Sequence, residues 1–112
     1  MVRSLVLAAA LLAAAVPAQT LHVDITGGGR ADTVALTQTS AKIVVTVTYA
    51  DPSLKSQTFT FGVDPGREDA VCGLPVELLR EGAHGFVVID KLCDSLHFSW
   101  NRKTHRVEWW RL

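Results

Sequence analysis

The stretch Lys42-Ile43-Val44-Val45-Thr46-Val47-Thr48-Tyr49 decides the fold. Ile43, Val45, Val47 and Tyr49 recur at every second residue, while Val44, Thr46 and Thr48 fill the places between. A period of two belongs to a strand with one face in a core, because successive side chains of a strand point to opposite sides. The same alternation extends outward in both directions. Downstream, after a turn at Asp51-Pro52-Ser53, Phe59, Phe61 and Val63 alternate with Thr58 and Thr60. Upstream, Leu21, Val23 and Ile25 oppose His22, Asp24 and Thr26. Gly27-Gly28-Gly29-Arg30 then breaks the pattern and Val34 and Leu36 resume it, so residues 20–38 are expected to form a hairpin around a glycine turn. Phe86 to Ile89 is a short apolar run of the kind found in buried strands. Leu96, Phe98 and Trp100, with a return through Val107, Trp109 and Trp110, predict a terminal hairpin. Residues 75–81 fit either one helical turn or a short edge strand. About seven strands and no amphipathic helix of ten residues predict an all-β domain, a small antiparallel sandwich or partly open barrel.

Composition narrows the function classes. Eleven basic and eleven acidic residues balance, which argues against a nucleic-acid binder with its basic excess. Met1 to Arg3 supplies a positive start, Ser4 to Val16 is apolar, and Val16-Pro17-Ala18 has small residues suited to cleavage, so residues 1–18 are expected to be a signal peptide and 19–112 one secreted domain. The apolar run is too short to cross a hydrocarbon core of about 30 Å. A permanent membrane anchor is therefore not expected, and the periplasm or the medium is the expected location. In such an oxidising compartment the two cysteines, Cys72 and Cys93, are expected to pair. Closing a loop of about 20 residues in this way contributes on the order of 3 kcal/mol.

Candidate sites are few. Nothing resembles the strand-to-helix elbow of a nucleophilic hydrolase, and acidic neighbours such as Asp90 with Asp94, or Glu68 with Asp69, fit solvated loops better than a glycosidase couple. No enzymatic activity and no cofactor are expected. His22, His84, His97 and His105 lack the spacing of a helical zinc site. Trp109 and Trp110 are adjacent on a predicted strand, so they must face opposite sides. Trp110, or Trp110 with Tyr49, is then free to anchor a protein or to stack on a sugar ring. Arg102, Lys103, Arg106 and Arg111 make the same hairpin basic and suited to an acidic partner surface.

Two resemblances refine these expectations. Asp24-Ile25-Thr26-Gly27-Gly28-Gly29-Arg30-Ala31-Asp32 resembles the D-x-D/N-G-D-G-x-x-D calcium loops of FG-GAP and VCBS-type β proteins, which implies Asp24, Thr26 and Asp32 as ligands. Gly28 stands where that pattern has its central Asp, however, so the preferred expectation is a decayed loop that now serves as a glycine turn. The ending Cys93-Asp94-Ser95-Leu96-His97-Phe98-Ser99-Trp100, followed by Trp109-Trp110-Arg111, is similar to the C-D-x-h-x-x-W and W-W-R signature of small secreted bacterial β proteins. Some of their relatives resemble periplasmic immunity proteins against peptidoglycan hydrolases, and lysozyme inhibitors. That resemblance implies a non-enzymatic binding protein whose partner is a cell-wall hydrolase. The alternatives are a cell-wall or carbohydrate-binding module, in which Trp110 stacks on glycan, and a structural envelope protein.

Overall fold

The computed structural model describes residues 18–112; the predicted signal peptide lies, save for its last residue, outside the described residues. The domain is a two-sheet β sandwich. The first sheet contains β1 (Gln19–Val23), β2 (Asp32–Gln38), β3 (Lys42–Thr48), β4 (Gln57–Val63) and the two-residue β5 (Ala70–Val71), in that order. The second contains β6 (Glu77–Glu81), β7 (Gly85–Ile89), β8 (Leu96–Asn101) and β9 (Arg106–Trp110). No closed barrel forms.

The predicted alternation is realised in the core. Val34, Leu36, Ile43, Val45, Val47 and Phe61 from the first sheet meet Leu78, Phe86, Val88, Leu96, Phe98 and Val107 from the second. Phe98 is the centre of this contact: it stacks on Phe86 at 4.6 Å and receives the edges of Phe59 and Phe61. Each such side chain fully removed from water stabilises the fold by roughly 1.5–3 kcal/mol.

Among the described residues nine strands form where about seven were expected: β5 is additional, and β6 takes the edge-strand alternative left open for residues 75–81. β5 is only Ala70–Val71, too short to show a period. It also departs from the expected antiparallel pattern, since it pairs with β4 in parallel. β6 has the sequence Glu-Leu-Leu-Arg-Glu, rich in good helix formers, yet it forms an antiparallel edge strand on β7. Tertiary pairing overrides local propensity there.

The seams between the sheets are closed by glutamine side chains. Gln38 accepts the Val76 N–H at 2.9 Å and donates to the Val76 carbonyl at 3.1 Å. Gln19 donates to the same carbonyl at 2.9 Å and accepts the Leu78 N–H at 2.9 Å. At the opposite edge of the second sheet, Gln57 accepts the Val107 N–H at 2.8 Å and donates to its carbonyl at 3.0 Å, while the Tyr49 hydroxyl also donates to Gln57. A primary amide offers the same donor and acceptor as a peptide group. Each glutamine therefore stands in for a neighbouring strand and satisfies groups that a sandwich edge would leave unpaired.

Candidate functional site

The outer face of the second sheet is set by the register. Leu79 pairs with Val87, Val87 with His97, and His97 with Trp110, so these four side chains form one row across all four strands. Trp109 turns inward and meets Phe61 edge-on at 5.1 Å. Trp110 therefore points out, as the adjacency of the two tryptophans requires, and is 42% exposed. Its ring stacks on His97 at 5.4 Å and 21°, and His97 Nδ1 is fixed by Glu81 at 2.7 and 3.0 Å. Leu79 is 44% exposed at the other end of the row. The outer face of the first sheet differs: Thr20, Ala35, Thr46 and Thr58 lie in register there and present small, uncharged groups.

The next row of the second sheet holds Glu81, Gly85, Ser99 and Glu108. A Cβ at Gly85 would stand 2.9 Å from the Phe98 carbonyl and 3.0 Å from that of Glu81, so only glycine fits without backbone movement. The missing side chain leaves a groove between the β6–β7 turn, the Thr26–Gly27 loop and the end of β8, bordered by Trp110. A second shallow groove joins Trp110 to Arg102 and Lys103 along β8 and β9. Arg102, Lys103 and Arg106 are exposed and form no ion pair among the described residues.

Arg111 is placed differently from the expectation that grouped it with those cations. Its guanidinium donates to the carbonyls of Glu68, Ala70 and Asp94 at 2.8, 2.6 and 3.0 Å, and to Asp90 at 3.4 Å. It fastens the C-terminal strand to two loops and does not reach toward solvent as a partner contact. Tyr49 is also unavailable as a stacking partner for Trp110. It is buried against Trp100, and its hydroxyl is engaged by Gln57.

The glycine loop is organised by its own carboxylates. Asp24 accepts the N–H groups of Gly27, Gly28 and Gly29 at 3.0, 3.1 and 2.8 Å. Gly27 and Gly29 adopt φ of +79° and +90°, a region that side chains disfavour. The Thr26 hydroxyl accepts from Gly28 at 3.3 Å. Asp32 is 2% exposed and accepts from Ile25 and Ala50 at 2.9 and 2.8 Å. The three residues of the calcium-loop resemblance thus each accept hydrogen bonds from backbone N–H groups.

Cys72 and Cys93 form a disulfide with Cα atoms 5.7 Å apart. Beside it lies the group that sequence reasoning undervalued. Asp90 is 4% exposed and accepts N–H groups from Cys72 at 2.7 Å, Leu92 at 3.1 Å, Cys93 at 3.2 Å and Gly73 at 3.3 Å. It is a structural hub, whereas Asp94 is exposed. Asp69 is held by Arg67 at 3.1 Å, a contact that keeps its carboxyl below the usual range. Comparisons of the chain with protein families, curated proteins and solved structures return no match.

Proposed function

We propose that this chain is a non-enzymatic, exported binding protein that recognises a protein partner through the outer face of its second sheet, the partner being a cell-wall hydrolase that it blocks. The observation that carries the reading is the row Leu79, Val87, His97 and Trp110, which sets two exposed apolar side chains and a stacked aromatic pair on the outer face of that sheet. Protein interfaces concentrate their energy in such anchors, with tryptophan prominent among them, surrounded by a polar rim. Glu81, Arg102 and Lys103 supply that rim. The choice of a hydrolase rests on the resemblance of the Cys93–Trp100 and Trp109–Arg111 segments to small secreted bacterial β proteins, some of whose relatives are similar to periplasmic immunity proteins.

The test is binding of the mature domain to a purified muramidase, a purified amidase and a purified endopeptidase acting on peptidoglycan. One of them is expected to bind and lose activity, and Trp110→Ala is expected to weaken that binding by about 30-fold, the scale of a hot spot of about 2 kcal/mol. No binding to any of the three, or equal binding by Trp110→Ala, overturns the reading. A second reading draws on the groove over Gly85, where Trp110, Ser99 and Glu81 combine a stacking ring with hydroxyl and carboxylate groups. Co-sedimentation with purified sacculi alone, abolished by Trp110→Ala, would favour this glycan reading.

A further inference from the structure

Cys72 and Cys93 stand in two loops that are joined twice without their sulfur atoms. The Asp90 carboxylate accepts the N–H groups of Cys72 and Gly73 from one loop, at 2.7 and 3.3 Å. From the other it accepts those of Leu92 and Cys93, at 3.1 and 3.2 Å. The Arg111 guanidinium does the converse with carbonyls, donating to Glu68 and Ala70 ahead of Cys72 and to Asp94 beside Cys93. The two side chains meet each other at 3.4 Å. A carboxylate thus collects the donors of both loops and a guanidinium their acceptors, and every one of these bonds remains available when the sulfurs are thiols.

An Asp90 oxygen and the two Sγ atoms lie within 4.8 Å of one another, a grouping with the ligand types of a metal site. The Asp90 oxygens, however, already receive Cys72, Gly73, Leu92, Cys93 and Arg111, which fills the roughly four lone-pair directions of a carboxylate. The group is committed to the backbone of the two loops.

We infer that Asp90 and Arg111 form a template that holds Cys72 and Cys93 in bonding position before they are oxidised. The loops therefore keep their arrangement as a dithiol, and a small-molecule disulfide closes the bond without a disulfide-forming enzyme. With oxidised glutathione, one cysteine thiolate attacks the glutathione disulfide and expels a glutathione thiolate. The other cysteine thiolate then attacks the mixed disulfide and expels the second. Two electrons pass from the cysteines to glutathione, and the two cysteine protons end on the two glutathione thiols. The second step is intramolecular, so it gains from the effective concentration of one thiol at the other, which a template raises by holding the loops together in advance.

The mature domain and the variants Asp90→Asn, Arg111→Lys and Asp94→Asn are equilibrated with reduced and oxidised glutathione, and the closed fraction is read by thiol trapping and mass spectrometry. Asp90→Asn and Arg111→Lys are each expected to lower the equilibrium constant for closure at least 10-fold, because loosened loops must be reordered as the bond forms. Asp94→Asn leaves its main-chain carbonyl on Arg111 and is expected to stay within about 2-fold of wild type. A second measurement keeps the template and removes the sulfurs, and does not depend on either of those variants folding. In Cys72→Ser/Cys93→Ser, the amide hydrogens at positions 72 and 92 are expected to exchange at least about 100-fold more slowly than in an unfolded chain. A change in the closure constant smaller than 10-fold in either template variant overturns the inference. So does an unfolded double variant, or one whose two amides exchange freely.

Discussion

Replacing Asp90 by Asn changes one heavy atom at the point where the disulfide, the C-terminal strand and the β7–β8 connection meet. One carboxylate oxygen accepts from Gly73, Leu92 and Cys93, and the other from Cys72 and Arg111. An amide keeps one acceptor and turns two donors toward the remaining partners. In the better of its two orientations the three-donor side is preserved. The Cys72 N–H, held at 2.7 Å, then faces an NH2 group and Arg111 loses one of its four acceptors, the charged one. Leaving a buried donor without a partner costs about 1–3 kcal/mol, and a bond to a charged group is worth about 1.5–3 kcal/mol. The two losses overlap in space, so Asp90→Asn is expected to cost about 3 kcal/mol. For a domain of this size that lowers the melting temperature by roughly 10–25 °C. The assay is reversible urea and thermal unfolding with the disulfide intact, using Asp94→Asn as the control. Asp94 is exposed and contributes only its backbone carbonyl to Arg111, so its substitution is expected to stay within about 0.5 kcal/mol. A cost below about 1 kcal/mol for Asp90→Asn would refute the hub.

Three further outcomes follow from other parts of the molecule. Gln38→Leu orphans the Val76 N–H, whose carbonyl keeps Gln19, and is expected to cost about 1–2 kcal/mol in urea unfolding, while Gln57→Leu orphans both the N–H and the carbonyl of Val107 and is expected to cost about 2–3 kcal/mol; because β6 and β9 are opposite edges of the second sheet, the double variant should lose their sum. Saturating calcium is expected to leave the melting temperature unchanged, since Asp24 and Asp32 already hold backbone donors, and a rise above about 5 °C would restore the loop as an ion site. Burial raises the Tyr49 hydroxyl above its ordinary value. A raised pKa means that the folded state holds its proton longer than the unfolded chain, so this contribution is full below pH about 10 and is lost as pH climbs through the folded value. Stability measured from pH 9 to 11 should therefore fall less steeply in Tyr49→Phe than in the wild type.

Alternation made most of the sandwich legible. The run Lys42–Thr48 and the hairpin carrying Trp100 and Trp109 alternate because one face is buried, and that constraint acts on adjacent residues. The adjacency of Trp109 and Trp110 likewise required the two to face opposite sides, and the contact of Trp109 with Phe61 shows which one turns inward. What stayed hidden depends on separation along the chain. Gln38 reads as one polar residue ending a strand, and its role appears only when Val76, 38 positions away, arrives beside it. Asp90 reads as a loop acid until Cys72 and Gly73 close over it. β6 carries helix-forming residues whose strand conformation is imposed by β7. Leu92 gives no periodic signal, since it stands in a turn and touches no core. The opposed faces of Trp109 and Trp110 could be deduced locally, whereas the row of Trp110 with Leu79 needed a register that no local pattern contains.

Sealing both margins of the second sheet with side-chain amides has a consequence for how these molecules meet one another. An open margin is a template on which foreign polypeptide can add as another strand, the route by which β proteins polymerise. Here the peptide groups of Val76 and Val107 are already occupied from within. Encounters between molecules are thereby turned away from those two sites and toward side chains, where discrimination between partners is possible.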